Sequence, residues 1–408
     1  MPINLHKKAG MIARLNHPKY ARWATQIRNA NGCRNPIHLR GRITHHDATG
    51  AITHRYTTTH EPDGVLRVPC KTRRASRCPS CAETYRQDTY HLIRAGLIGG
   101  KGIPETVSTH PTLFITLTAP SFGPVHTHHQ RGTPCRPRRN APTCPHGRTL
   151  SCTIRHQPND HRLGQPLCPD CYDYKGTVLF NATAPLLWKH FVNAIRRRLG
   201  NDMRLSYAKV AEYQRRGVIH FHAILRLDGP RGPADSPPPG ATAEALAQAV
   251  QEAAKTTTAT TPTHPDQAAG TLRWGRQLDI RPITPTDQRM ASYLAKYATK
   301  AAECVGALDQ RISPLTDLST LPISDHARRL IATCLELGLT HWVHMLGFGG
   351  HFSTRSRHYG PTLGTLRAAR QDHVKQEGYA VAHWQYAGRG HSESDAVLAA
   401  ALTQGGPR

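Results

Sequence analysis

The sequence predicts an α+β fold: an antiparallel sheet in the split βαβ order, with helices on one face and the other face open. Three observations predict it. Residues 112–303 read in order as strand, helix, strand, strand, helix, strand, helix, and the first six are the elements of the split βαβ unit. Residues 205–213 and 218–227 are two strands around Gln214-Arg215-Arg216-Gly217, which makes them a hairpin. Within the second strand Ile219, Phe221, Ala223 and Leu225 share one face, while His220 and His222 share the other.

Along the chain, residues 1–32 are basic with little periodicity, and 37–68 read as short strands and turns about Asp47-Ala48-Thr49-Gly50. A cysteine cluster occupies 70–81, and a helix is expected over 83–98, ended by Gly99-Gly100. The run at 112–118 is a strand. Residues 123–176, rich in Pro, Arg, His and Cys, read as a metal-stapled insertion. An amphipathic helix follows over 186–199, with Leu187, Phe191, Ile195 and Leu199 near one face and Gly200 as its stop. Residues 229–270 form an expected flexible linker: Pro/Gly-rich to 241, an Ala-rich helix at 242–255, then a Thr/Pro stretch to about 265. A strand at 277–283 precedes Thr284-Pro285-Thr286-Asp287, whose capping, first-turn and acidic residues open a helix reaching about residue 304. Three regions result: a basic zinc-binding N-terminal region (1–105), a catalytic domain (106–304) and a helical, basic C-terminal region (305–408).

The 408 residues carry 53 Lys and Arg against 27 Asp and Glu, a formal net charge of +26. Such an excess repels itself unless an anion neutralises it, and a phosphodiester backbone adds counterion release. A genome rich in Arg, Ala, Pro and Gly codons is the plain alternative. No run of 18 apolar residues exists, and residues 1–8 lack an apolar signal core, so a cytoplasmic protein without membrane contact is expected. In a reducing compartment the eleven cysteines are better read as metal ligands than as disulfides.

His220 and His222, side by side on an open strand face, make a site for a divalent ion. If the hairpin turn centres on Arg216, Glu212 sits opposite His220, and the set suits Mn²⁺ or Mg²⁺ with positions left open for phosphate oxygens. Two surface histidines in a chain with 27 of them is the competing reading. On the last helix, Tyr293 and Tyr297 lie on one face, with Lys296 and Lys300 each three residues beyond a tyrosine. A phenol with a pKa of about 10 is a poor nucleophile at neutral pH, and neighbouring ammonium groups favour its phenolate. An ordinary amphipathic helix burying two aromatics explains the same pattern.

Cys78-x2-Cys81 and Cys168-x2-Cys171 have the spacing of zinc knuckles. Cys33 and Cys70 are candidates to complete the first. Cys144 and Cys152 are candidates for the second, with Cys135 or His146 as substitutes. Cys304 and Cys334 are expected in the core. Arg73 and Arg74, Arg138 and Arg139, Arg196 and Arg197, and Arg355 and Arg357 are candidate phosphate contacts, or solvated faces.

These residues resemble a known family. The segment Phe114-Ile115-Thr116-Leu117-Thr118-Ala119-Pro120, the His220-Phe221-His222 pair with Glu212, and the run from Tyr293 to Lys300 look like the three motifs of HUH-superfamily rolling-circle initiators, in that order. The similarity is strongest to replication initiators of actinobacterial plasmids and integrative conjugative elements. It extends to Cys144-Pro145-His146-Gly147, Cys168-Pro169-Asp170-Cys171 and Gly350-His351-Phe352-Ser353-Thr354, and covers most of residues 33–370. The resemblance implies an HUH endonuclease domain with Mg²⁺ or Mn²⁺ at Glu212, His220 and His222, and structural zinc. It implies attack by Tyr297 or Tyr293 on single-stranded or cruciform origin DNA, with Tyr297 favoured for the first cut. A 5′-phosphotyrosine and a 3′-hydroxyl for a host polymerase would result. Ile98-Gly99-Gly100-Lys101-Gly102 departs from a phosphate-binding loop, so a host helicase is expected. A transposase or relaxase of the same chemistry, or a non-catalytic zinc nucleic-acid-binding protein, are the rival readings.

Overall fold

The structure is a computed structural model and describes residues 5–129, 132–263, 269–284, 289–298, 312–313, 315–371 and 378–404. It comprises two compact units, Met1–Asp88 with Leu363–Arg408, and Thr89–Thr362. The boundaries of these units, at 88/89 and 362/363, differ from the expected divisions at 105 and 305.

In the first unit, α1 (Leu5–Leu15) and α2 (Tyr20–Asn29) stand where irregular chain was expected. Their partner is remote in sequence. The C-terminal helix Glu393–Gln404 supplies Leu398 and Ala399 to a small core with Trp23, Ala24 and Ile27. Arg14 ties these pieces together, donating to Asp395 at 2.9 Å and to Asp63 at 3.0 Å. β1 (Ile37–His46) pairs with β2 (Ile52–Thr57) and β3 (Leu66–Val68), and on its other edge with the C-terminal strand Tyr379–Arg389. That last pairing, invisible to local pattern, brings the C-terminal region back to the N-terminal one. α3 (Pro79–Ile98) begins four residues before its expected start.

The second unit holds the predicted sheet. Its strands are β4 (Thr112–Leu117), β5 (Arg204–Tyr213) and β6 (Ile219–Asp228). α4 (Tyr174–Leu199) precedes β5, and α5 (Ala243–Thr256) follows β6. α4 starts twelve residues before its expected position: the Asp173 carboxylate accepts from Gly176 N–H at 2.7 Å, and Pro185 lies inside the helix rather than at its start. The expected flexible linker holds α5 and a small ladder of β7 (Thr258–Thr260) and β8 (Thr271–Arg273), with 264–268 outside the described residues. β9 (Leu278–Pro282) and α6 (Arg289–Ala298) complete the predicted series. α7 (Asp325–Glu336) and β10 (Ser353–Arg355) follow.

The sheet order is β10-β5-β6-β4-β9, antiparallel throughout. The four strands β5-β6-β4-β9 have the order a split βαβ unit requires, and β10 is an added edge strand. Leu113, Ile115, Leu117, Phe221, Ala223 and Leu225 join Val178, Phe180, Leu187, Phe191 and Ile195 of α4 in one buried core. The core gives the sheet a packed face, and side-chain alternation sends the intervening residues to the other. Among the described residues no helix is long and apolar enough to cross a membrane.

Candidate metal centre

Register sets the site. The hairpin turn closes with Gln214 N–H donating to the Val218 carbonyl at 2.9 Å and Gly217 N–H to the Gln214 carbonyl at 2.9 Å. Gly217 sits at φ +79°, which a side chain would oppose. α4 clamps this turn through buried Asn181: its Nδ2 donates to the carbonyls of Gly217 (2.8 Å) and Leu346 (2.9 Å), and its Oδ1 accepts from Ile219 N–H (2.9 Å). Glu212 then pairs with His220, Val210 with His222, and Thr116 with His222.

The His220 Nε2 lies 2.8 Å from Glu212 Oε2, and the His222 Nε2 lies 3.0 Å from the same oxygen. The two rings are 4.5 Å apart. Three ligand-type atoms thus converge within 4.8 Å of one another, as a divalent ion requires. The other ring nitrogens are also held. His222 Nδ1 is 3.0 Å from Thr116 Oγ1, and His220 Nδ1 is 3.4 Å from Gln214 Nε2. Were Nε2 to bind a cation, Nδ1 of His222 would carry the proton and donate it to the threonine oxygen, which would fix tautomer and ring plane.

α6 brings the phenol. The Tyr293 ring packs edge-on against His222 (5.8 Å) and Phe114 (5.7 Å), is 40% exposed, and so reaches both the ligands and solvent. Lys296 is exposed on the same helix. Lys300, residues 285–288 expected to open the helix, Cys304 and the side chain of Tyr297 lie outside the described residues. Sequence reasoning missed Asp279 and Arg281 on edge strand β9. Their registers, Thr116 with Asp279 and Phe114 with Arg281, place them on the site face. They pair at 2.9 Å, and the Asp279 carboxylate raises the pKa of the Arg281 guanidinium. The alternating run Leu278-Asp279-Ile280-Arg281 was the available signal.

The cysteines form three groups. Cys33, Cys70, Cys78 and Cys81 converge as expected, with Cys33 and Cys78 sulfurs 3.7 Å apart. That is about the S–S edge of a tetrahedral zinc–thiolate site. Cys144, Cys168 and Cys171 converge with His146, whose Nδ1 is 3.2 Å from Cys171 Sγ. Cys152 is the correction: it leaves that group and joins Cys135, His126 and His156. The paired backbones of Arg136 and Cys152 carry it there. Cys334 is buried in α7, and burial pushes its thiol up to about 12.

The candidate arginines do not form one surface. Arg73 and Arg74 are half-buried in the loop between Cys70 and Cys78, and Arg138 and Arg139 are exposed in the insertion. Arg196 and Arg197 are exposed in the last turn of α4. Arg196 shares a hollow of about 440 Å³ with Arg357. Arg355 donates to the Ser356 and Arg357 carbonyls, each at 2.8 Å. A larger basic groove involves Arg215, Arg216 and Arg276, which sequence reasoning did not single out.

Comparison with known proteins identifies the family. A replication initiator protein of Streptomyces ambofaciens is 47% identical over 431 aligned residues, covering 95% of this chain and 90% of that protein. No solved structure matches. Residues 19–404 match the family described as RepSA, replication initiator protein, pSAM2, and the chain belongs to that family of replication initiators.

Proposed function

We propose that this replication initiator nicks and religates its origin as an HUH enzyme, through a tyrosine–phosphodiester intermediate, for rolling-circle replication. The observation that carries the reading is one carboxylate flanked by two imidazole Nε2 atoms, with a tyrosine ring packed against one of them. Glu212, His220 and His222 would hold Mg²⁺ or Mn²⁺, which when bound polarises the scissile phosphate. Thr116 orients His222. Arg281, Lys296 and Lys300 supply positive charge for the phosphate and the phenolate.

In the nicking step the phenolate oxygen bonds to phosphorus, the P–O3′ bond breaks, and the leaving 3′-oxygen takes a proton. The phosphodiester is exchanged rather than hydrolysed, so a later 3′-hydroxyl can reverse the step and release the tyrosine. The family resemblance favours Tyr297 for the first cut. Tyr293, held at His222, would make the second while the first strand remains covalently attached. The 3′-end would prime a host polymerase, with strand separation left to a host helicase, in the cytoplasm where the replicon resides. Cys33, Cys70, Cys78 and Cys81, and separately Cys144, His146, Cys168 and Cys171, suit structural zinc by donor chemistry and spacing.

The test is incubation of full-length protein with single-stranded origin DNA and Mn²⁺, followed by denaturing electrophoresis in SDS. An SDS-resistant protein–DNA adduct is expected for the wild type. The Tyr293→Phe/Tyr297→Phe double variant should bind the DNA and form none. Undiminished nicking by the double variant would end the assignment.

A further inference from the structure

The insertion between β4 and α4 poses a packing problem. Apart from cysteines, Val125, Leu163 and Pro166 are the buried apolar side chains among its described residues from 123 to 167. Its backbone forms isolated bridges, 125 with 166, 136 with 152 and 143 with 149, rather than extended strands. So little apolar burial cannot order some forty residues against their conformational entropy. Yet His156, Cys135 and Cys152 are buried together, with His126 beside them.

The geometry of these four is that of a coordination sphere. His126 Nδ1 is 3.1 Å from His156 Nε2, which is 3.4 Å from Cys152 Sγ. A zinc tetrahedron with ordinary bond lengths has edges of about 3.4 Å between nitrogens and about 3.6 Å between nitrogen and sulfur. The surroundings are those of ligands too. Thr127 N–H donates to Cys135 Sγ at 3.1 Å, and His156 Nδ1 is 2.7 Å from the Asp160 carboxylate. Asp160 is itself fixed by Arg162. A carboxylate behind a ligating histidine sets its tautomer and strengthens its bond to the metal.

This corner also forms a wall. His126 and Arg136 border a groove of about 850 Å³ that Gln214, Arg215, Arg216 and Arg276 also line. The buried Nε of Arg136 has no hydrogen-bond partner among the described residues. Arg216 has no carboxylate partner among the described residues, and burial pushes its pKa down. It donates to Gln214 Oε1 at 2.8 Å, and the same Gln214 touches His220. The groove therefore opens beside the metal centre. The insertion also braces the hairpin turn: Arg215 donates to the Pro158 carbonyl at 2.6 Å, and Gly164 approaches the Arg215 backbone so closely that a Cβ would fall 2.4 Å from it.

We propose that His126, Cys135, Cys152 and His156 bind a zinc ion of their own, and that this ion fixes one wall of a groove that holds the phosphates of single-stranded DNA at the mouth of the metal centre. The zinc site stands independently; the role of the groove rests on the nicking reading. Metal analysis of the full-length protein should show that Cys135→Ser/Cys152→Ser loses one zinc per chain relative to wild type. An equal zinc content would overturn the site. Asp160→Asn keeps all four ligands and guards against misfolding of the cysteine variant. It should weaken retention of one zinc by about 10–100-fold in chelator competition, and unchanged competition would also overturn the site. The groove is tested with Arg136→Ala/Arg276→Ala in the Tyr293→Phe/Tyr297→Phe background, by binding to a single-stranded oligonucleotide over a salt series. Two lost phosphate contacts should reduce the slope of log affinity against log salt by about 1.4. An unchanged slope would refute the groove. Loss of adduct formation in the wild type with zinc content and salt slope as predicted would instead refute nicking, so the two failures are separable.

Discussion

Beneath the histidine face lies a buried cation. Lys209 on β5 points into the helix-packed side of the sheet, 3% exposed, with its Nζ 4.1 Å from the Phe221 ring centroid and 5.7 Å from that of Trp188. No carboxylate pairs with it among the described residues, and burial pulls its pKa from an ordinary 10.5 to about 7. At about 1.4 kcal/mol per tenfold change in proton affinity, holding it charged costs about 5 kcal/mol. The two aromatic faces do not restore its ordinary proton affinity. Lys209→Met keeps the unbranched apolar stem and removes the ammonium, so it should stabilise the second unit by up to about 5 kcal/mol at pH 6. The sign with pH follows from the lowered value. Above pH 7 the unfolded chain still binds a proton that the folded one has released, so wild-type stability recovers between pH 7 and 10.5. The advantage of the methionine variant should therefore be full below pH 7 and vanish as pH approaches 10.5. Urea unfolding of both proteins at pH 6, 8 and 10 measures this. A variant no more stable at pH 6, or an advantage independent of pH, would refute the buried cation.

Two further predictions concern the parts that hold the site. Asn181→Ala removes three buried hydrogen bonds to the hairpin turn and to Leu346, and should destabilise by about 3 kcal/mol; a loss in urea midpoint equivalent to under about 1 kcal/mol would show that the turn does not depend on the clamp. Thr116→Val preserves shape and removes the oxygen at His222 Nδ1. It should weaken Mn²⁺ binding, followed by the free-ion EPR signal, by about 10–100-fold; wild-type affinity would remove Thr116 from any part in orienting the ligand.

The sheet was legible because its signals are local. Alternation in 218–225 assigns faces, and a short turn at Gln214–Gly217 sets register, so Glu212 could be placed opposite His220 from the chain alone. What stayed hidden depends on distant partners. α1 packs against a helix that begins at Glu393, and β1 takes an edge neighbour from Tyr379–Arg389, so neither the N-terminal helices nor the shared C-terminal region can be seen in a window of sequence. Pro185 disguised the first half of α4, whose true start is marked by the Asp173 cap. Cys152 was grouped with Cys144, Cys168 and Cys171 by proximity in sequence, whereas its backbone pairing with Arg136 assigns it to Cys135. The Cys152-x3-His156 spacing was the readable hint. Arg281 escaped notice because the alternation in 278–281 does not say which face meets the site; the pairing with β4 does.

The central claim, a phenol of α6 delivered to a phosphate at the Glu212, His220 and His222 centre, has a direct measurement. Trypsin separates the two tyrosines, since cleavage after Arg289, Lys296 and Lys300 yields the peptides 290–296 and 297–300. Mass spectrometry of the nuclease-trimmed adduct should find a 5′-nucleotide phosphate on one or both of these peptides, with 297–300 carrying the first cut. A nucleotide on any other peptide, or nicked DNA with no modified peptide at all, would contradict the account.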